Sequence, residues 1–246
     1  MTPEKMMEIM QKSEVEEVMQ AIMLKNSEEQ KRNRVKNYKL LNEYVKKGQI
    51  LFVGSSLMEW FPISEMQLTL DINYVIYNRG IAGFTTTELL AAMDECIFDL
   101  EPSKIFINIG TNDISSIGTP YKLENLLANY NEIMDQIQKT LPECKVYVMA
   151  YYPINEKVYL GEDNIQRNII SKSRTRTNAA IMEANEAIEE LAKKHGFNYI
   201  NVNDGLTDEE GNLKEEYSVD GIHIWPNAYS IIFENVKKYL DHIIIT

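Results

Sequence analysis

One of the chain's three histidines stands where imidazole chemistry is easiest to build. His223 closes the run Asp220-Gly221-Ile222-His223, just ahead of Trp225-Pro226. In a tight turn that spacing lets the carboxylate reach one ring nitrogen and leaves the other facing outward, so the imidazole is held as a base in a fixed tautomer. A serine hydroxyl is a weak nucleophile until such a base takes its proton. The best-placed serine is Ser56, in Gly54-Ser55-Ser56-Leu57, directly after an apolar run. On its own that tetrapeptide reads first as a helix cap, because serine favours the N-cap position.

Acyl chemistry also needs donors aimed at the oxyanion of a tetrahedral intermediate. Gly83, in Arg79-Gly80-Ile81-Ala82-Gly83, offers a backbone N–H with no side chain in the way. Asn112, in Gly110-Thr111-Asn112-Asp113, offers a side-chain NH₂, and the Ser56 backbone N–H would be the third donor. Taken singly, these are turn glycines and an Asn-Asp turn that bonds its own backbone. His195, ahead of Gly196, reads as a residue at a helix C-terminus, and His242 lies in the tail.

The elements that must position these groups follow from hydrophobic periodicity. Short β-rich runs at 49–54, 73–78, 104–109, 144–150 and 198–202 alternate with helical stretches near 86–98, 121–140, 177–195 and 226–240. That alternation predicts a parallel sheet with helices on both faces, and ligands bind such sheets at the carboxyl ends of the strands. Each candidate residue follows a strand. Residues 3 to 47 read as helical, with Met6, Met10, Ile22, Met23, Leu40, Leu41 and Val45 as the apolar stripe and a break at Asn26-Ser27. This predicts a helical extension over 1–47, either a cover on the main domain or a lid or dimer arm, followed by a domain over 48–246.

A net charge of −12 disfavours nucleic acid and anionic membrane partners. The two cysteines, Cys96 and Cys144, read as small buried hydrophobes rather than a disulfide framework. The N-terminus lacks a signal-like apolar run and no stretch reaches membrane-spanning length, so a cytoplasmic protein is expected. No cluster of metal ligands is evident, and no cofactor is expected.

The runs FVGSSL, NRGIAG, IGTND and DGIH resemble the conserved blocks of the SGNH (GDSL) hydrolase superfamily, in order and rough spacing. The resemblance covers about 49 to 240. It implies an α/β/α three-layer sandwich around a five-stranded parallel sheet, with Ser56 as nucleophile, Gly83 and Asn112 as oxyanion donors, and Asp220 and His223 as acid and base. Two positions depart from the pattern: Ser55 stands where the motif has Asp, and Phe84 where Asp is frequent. The implied reaction is hydrolysis of esters, with lysophospholipase or thioesterase chemistry as the alternative. With Trp60, Phe61 and Phe84 close to the motifs, a small acyl pocket and a short-chain ester of a soluble or carbohydrate alcohol are expected. The basic residues of 151–176 (Lys157, Arg167, Lys172, Arg174, Arg176) would be either a solvated loop or a receiver for an anionic leaving group. A non-catalytic flavodoxin-like binding module would need a small, phosphate-cradling loop after the first strand, and Leu57-Met58-Glu59-Trp60-Phe61 is too bulky for that.

Overall fold

A computed structural model describes Thr2 and residues 13–72, 74–115, 121–160 and 176–240. Met6, Met10, His242 and residues 161–175, with Arg167, Lys172 and Arg174, lie outside the described residues.

Apolar β-formers build the centre. Strands β1 (Ile50–Gly54), β2 (Ile76–Gly80), β3 (Lys104–Asn108), β4 (Lys145–Met149) and β5 (Asn198–Ile200) pair only in parallel, in the order β2-β1-β3-β4-β5. Alternate residues feed opposite faces, as the pleat requires. Leu51, Val53, Ile105, Ile107, Val146 and Val148 join one core cluster, and Ile50, Phe52, Phe106 and Met149 join the other. The first core is closed by α1 (Ser13–Leu41), α4 (Thr86–Leu90), α5 (Met93–Cys96), α7 (Leu123–Thr140) and α9 (Asn178–Lys194). The second is closed by α2 (Ser56–Glu59), α3 (Ile63–Met66) and α10 (Pro226–Val236). The result is the three-layer α/β/α sandwich with a five-stranded parallel sheet.

Each long helix buries residues at spacings of three and four. On α7 these are Leu126, Tyr130, Ile133, Met134 and Ile137, and on α9 they are Ile181, Ala184, Ile188 and Ala192. Pro226 opens α10 at its first turn, where no backbone N–H is needed. Burial pushes both the Cys96 and the Cys144 thiol up to about 12, so each stays protonated at neutral pH.

Three local expectations are corrected. First, α1 runs unbroken from Ser13 to Leu41. Asn26 and Ser27 are solvent-exposed, where each costs a helix only a fraction of a kcal/mol, and no packing contact forces a turn there. Its packed face is also different: Ile22, Leu40 and Leu41 are exposed, whereas Lys31, Val35 and Tyr38, with Asn42 just past the helix end, are turned inward. Second, β2 spans 76–80 rather than 73–78. Its polar end is sheltered by α1, because Arg79 donates to the Asn42 Oδ1 at 2.9 Å and stacks over the Tyr38 ring. Third, the stretch 86–98 is two short helices, bent where Ala92 (φ −132°) and Ile97 (φ −135°) leave helical geometry and are buried against the core.

Gly80 is the tightest of these junctions. A Cβ there would sit 2.1 Å from the Glu59 backbone nitrogen, so α2 can lie on β2 only over glycine. Tyr38 donates its hydroxyl proton to the Gly80 carbonyl at 2.6 Å from the other side. The backbone of Glu59 can yield only by shifting α2, the helix that Ser56 begins. Gly80→Ala is therefore expected to destabilise the protein by at least about 3 kcal/mol in urea unfolding, above the usual overpacking cost. A midpoint unchanged from the parent would refute this packing.

Candidate active site

Three strands end side by side and present their loops to one cavity. Gly54 of β1 pairs with Gly80 of β2 and with Asn108 of β3, so the three carboxyl ends are level. Immediately past Gly54, Ser55 is the N-cap of α2 and Ser56 its first residue. The Ser55 side chain makes no capping bond; its hydroxyl is buried without a partner among the described residues. The Ser56 hydroxyl does not cap either. Its Oγ lies 2.9 Å from the His223 Nε2.

The other ring nitrogen, Nδ1, lies 2.7 Å from the Asp220 Oδ2. The Asp220 Oδ1 accepts the backbone N–H groups of His223 (2.8 Å) and Ile222 (3.0 Å). Burial alone would push the Asp220 carboxyl up; the His223 side-chain hydrogen bond, the imidazole charge and the two backbone donors outweigh it and hold it down at about 2. Asp220 is thus a carboxylate at any ordinary pH. With the Nδ1 proton turned to it, Nε2 is left as an acceptor for the Ser56 hydroxyl proton. Trp60 lies against the imidazole, ring centroids 4.4 Å apart, and holds its other flank.

The donor side is built as firmly. The Ser56 N–H, in the first turn of α2, has no intrahelical acceptor. Gly83 sits at φ +76°, a conformation that side chains rarely adopt, at the tip of a turn lining the cavity. That turn is pinned by Ile81 N–H to Gly54 O at 3.0 Å and by Ala82 N–H to the Glu59 carboxylate at 2.6 Å. Asn112 also lines the cavity. Among the described residues its NH₂ donates only to the Phe84 carbonyl, at 2.8 Å, with the second amide hydrogen beside the cavity. Its Oδ1 accepts from Arg176 at 2.9 Å, and that bond fixes which end of the amide carries the hydrogens.

Arg176 and Asp113 were not singled out for this role by the sequence. Arg176 is buried and also donates to the Thr111 carbonyl and the Ser115 hydroxyl, both at 2.6 Å. Burial lowers its pKa to about 10, so it remains a cation. It does not line the cavity, and Lys157 is exposed and paired with Glu210 at 2.7 Å, so neither receives an anionic leaving group. Asp113, pushed up by burial against its bonds to Thr86, accepts the Thr86 N–H and hydroxyl and ties this loop to the start of α4. Phe61 and Phe84 do not face the cavity. Phe61 stacks on Tyr229 at 5.1 Å in the second core and Phe84 is buried in the first; of the three rings only Trp60 lines the site. His195 ends α9, with its Nε2 3.1 Å from the Asn131 Oδ1, remote from the cavity. Among the described residues no three His, Cys, Asp or Glu side chains converge as a metal site, and no helix is long and apolar enough to cross a membrane.

Comparison with known proteins places this arrangement among relatives. The model of the GDSL-like lipase/acylhydrolase family matches residues 64–231. A proposed platelet activating factor from Streptococcus pneumonia is similar in structure, with 31% identity, 91% of this chain and 99% of that chain covered, and a TM-score of 0.78. A GDSL-like lipase from Bacteroides thetaiotaomicron VPI-5482 shares the fold at 21% identity and TM-score 0.67, over 84% of this chain and 96% of the other. An N-acylneuraminate cytidylyltransferase from Escherichia coli O18:K1:H7 is 24% identical over 198 residues, which is 80% of this chain but only 41% of that protein. The chain therefore spans about two fifths of the length of this curated relative. With a matching family model over most of its length and a five-stranded parallel sheet beneath its strand-end loops, the chain belongs to the GDSL-like lipase/acylhydrolase family.

Proposed function

We propose that the protein is a serine esterase in which Ser56 is the nucleophile, His223 the general base and acid, and Asp220 the carboxylate that orients the imidazole. The observation that carries this reading is the unbroken line from Ser56 Oγ through His223 to Asp220, at 2.9 and 2.7 Å. On attack, the Ser56 proton passes to Nε2 while Oγ bonds to the ester carbonyl carbon. The developing oxyanion is met by the N–H groups of Ser56 and Gly83 and by the free amide hydrogen of Asn112. Collapse expels the alcohol, which takes the proton from Nε2. Water then attacks the acyl-enzyme with His223 again as base and releases the acid.

The acyl group in this reading is short, acetyl to butyryl. A methylene gains about 0.8 kcal/mol only where it can be buried against apolar surface. Most of the residues lining the cavity are polar; Ile81, Ala82 and Trp60 are the apolar exceptions beside Gly83. These three form no extended run of apolar side chains for a long chain to follow.

Ser56→Ala is expected to abolish hydrolysis of 4-nitrophenyl acetate with the circular dichroism spectrum unchanged, since the hydroxyl caps no helix. More than a few per cent of residual activity in clean protein would sink the assignment. Asn112→Ala should lower kcat by roughly 10²–10³ with little change in KM, because its donor acts on charge absent from the ground state. Arg176→Lys, which loses the planar fork, should lower kcat several-fold. In the Asn112→Ala background it should have almost no effect on kcat; full additivity of the two would show that Arg176 does not act through Asn112. Finally, kcat/KM should fall on the acid side in a single protonation step. Asp220 stays ionised down to about pH 2 and so does not supply that step. A profile flat from pH 5 to 8 would count against His223 as base.

A further inference from the structure

The wall opposite Ser56 comes from α1, outside every motif block. The cavity has a volume of about 650 Å³, enough for a ligand well beyond an acetyl group. One side carries Ser56, Gly83, Asn112 and His223; the other is the face of α1 formed by Ser27, Gln30, Lys31, Asn33, Arg34 and Asn37. These positions recur at three and four residues, so they form one stripe about 10 Å long between Gln30 and Asn37. We propose, on the reading of Ser56 as nucleophile, that this stripe is the subsite for the leaving alcohol and that it takes a neutral polyhydroxylated alcohol of sugar type.

Charge argues for a neutral ligand. Lys31 is held by both oxygens of Glu88, at 2.8 and 3.1 Å, and Arg34 is paired with Glu59. Both cations on the wall are therefore already neutralised, and a phosphate or carboxylate on the alcohol would compete with existing partners. What remains available is amide. Gln30, Asn33 and Asn37 are exposed, and among the described residues their side chains make no hydrogen bond to the protein. Each offers a donor and an acceptor, which is the complement of a hydroxyl that is also both.

Aromatic surface argues for a ring. Trp60 is 48% exposed and lines the same cavity while one side of it rests on His223. An indole so placed gives the C–H face of a sugar an apolar platform beside the base, while its hydroxyls meet the amides of α1. Lys31 closes the distance: its Cε lies 3.0 Å from where a Cβ on Gly83 would stand, so α1 sits directly against the oxyanion turn. An alcohol leaving from the carbonyl would emerge between the two. An alkyl leaving group could meet Trp60 but would leave the hydrogen bonds of the amides unmade.

The test compares 6-O-acetylglucose, whose remaining hydroxyls are free, with 4-nitrophenyl acetate, whose planar leaving group has no hydroxyls. In the triple variant Gln30→Ala/Asn33→Ala/Asn37→Ala, the ratio of kcat/KM for the sugar ester to that for the aryl ester should fall at least tenfold, through KM. Alanine at these exposed helical sites favours α1, so folding is retained, checked by circular dichroism. Free methyl glucoside should inhibit aryl ester hydrolysis competitively in the parent and more weakly in the variant. An unchanged ratio, or equal loss on both esters, would overturn the subsite. A parent that cleaves the aryl ester but not the sugar ester would overturn the alcohol class. A parent that cleaves neither would instead overturn the esterase reading on which the subsite rests.

Discussion

The site depends on how closely three backbones approach at the sheet's carboxyl edge. A Cβ on Gly54 would meet the Asn108 carbonyl at 2.1 Å, and one on Gly80 would meet the Glu59 nitrogen at the same distance. Only hydrogen fits at either place, so β1 can stop level with its neighbours and α2 can begin immediately. That forces Ser56 into the first turn of a helix, where its N–H has no intrahelical partner and its hydroxyl is turned toward whatever the C-terminal loop brings. The loop brings His223, 167 residues away in sequence. A four-residue helix has little stability of its own. It is held instead by what touches it: Asn78 donates to the Met58 carbonyl at 2.7 Å, and Tyr229 donates to the Leu57 carbonyl at 2.7 Å.

Buried charge then sets the orientation of polar groups that packing alone leaves free to rotate. An amide such as Asn112 has two nearly isosteric orientations, and only one points hydrogens into the cavity. Arg176 removes the wrong one, since its guanidinium can face only an acceptor. Burying a cation is expensive, and its three acceptors from one short turn offset that cost without a carboxylate partner. Asp113 does the equivalent work one residue on, accepting from the start of α4. The two ions thus hold the Asn112 turn from opposite sides. Neither touches the cavity, which is why their charge shapes the donor geometry without drawing ions into the site.

Much of this was legible in the sequence because the signals are local. Asp220 and His223 are three residues apart, so their contact is a property of a turn, and the apolar runs ending in glycine or asparagine locate the strand ends directly. The shelter of β2 was not local: Arg79 read as loop because its burial depends on Tyr38 and Asn42, some forty residues earlier. The same reason hid Arg176. In a polar, basic stretch a buried arginine looks like its solvated neighbours, and only the three-dimensional approach of Thr111, Asn112 and Ser115 distinguishes it. Phe61 and Phe84 misled in the opposite sense. Nearness in sequence to a motif does not give nearness to the cavity, since a short helix or turn sends alternate side chains to opposite layers. The helix α1 was misread for a physical reason too: its packed face is Lys31, Val35, Tyr38 and Asn42, which carries more hydrogen-bonding than apolar character, so hydrophobic periodicity picked the wrong stripe.

That polar seating binds α1 to the reactive centre more tightly than an apolar one would. Glu88 is the third residue of α4 and closes a capping box with Thr85, just past the Gly83 turn, and the same carboxylate holds Lys31. Glu59 ends α2, accepts the Ala82 N–H beside the Gly83 turn, and holds Arg34. Each carboxylate therefore joins α1 to one flank of the donor loop. An apolar seam tolerates small slides of a helix, whereas paired ions and hydrogen bonds fix direction and register together. Displacing α1 would have to break both pairs or drag the loop between Ala82 and Thr85 with it. The family match begins at residue 64, so this coupling ties a segment outside the match to donors within it. A change of residues on α1 can thus alter what lines the cavity, while Lys31 and Arg34 keep the Gly83 turn in place beside Ser56.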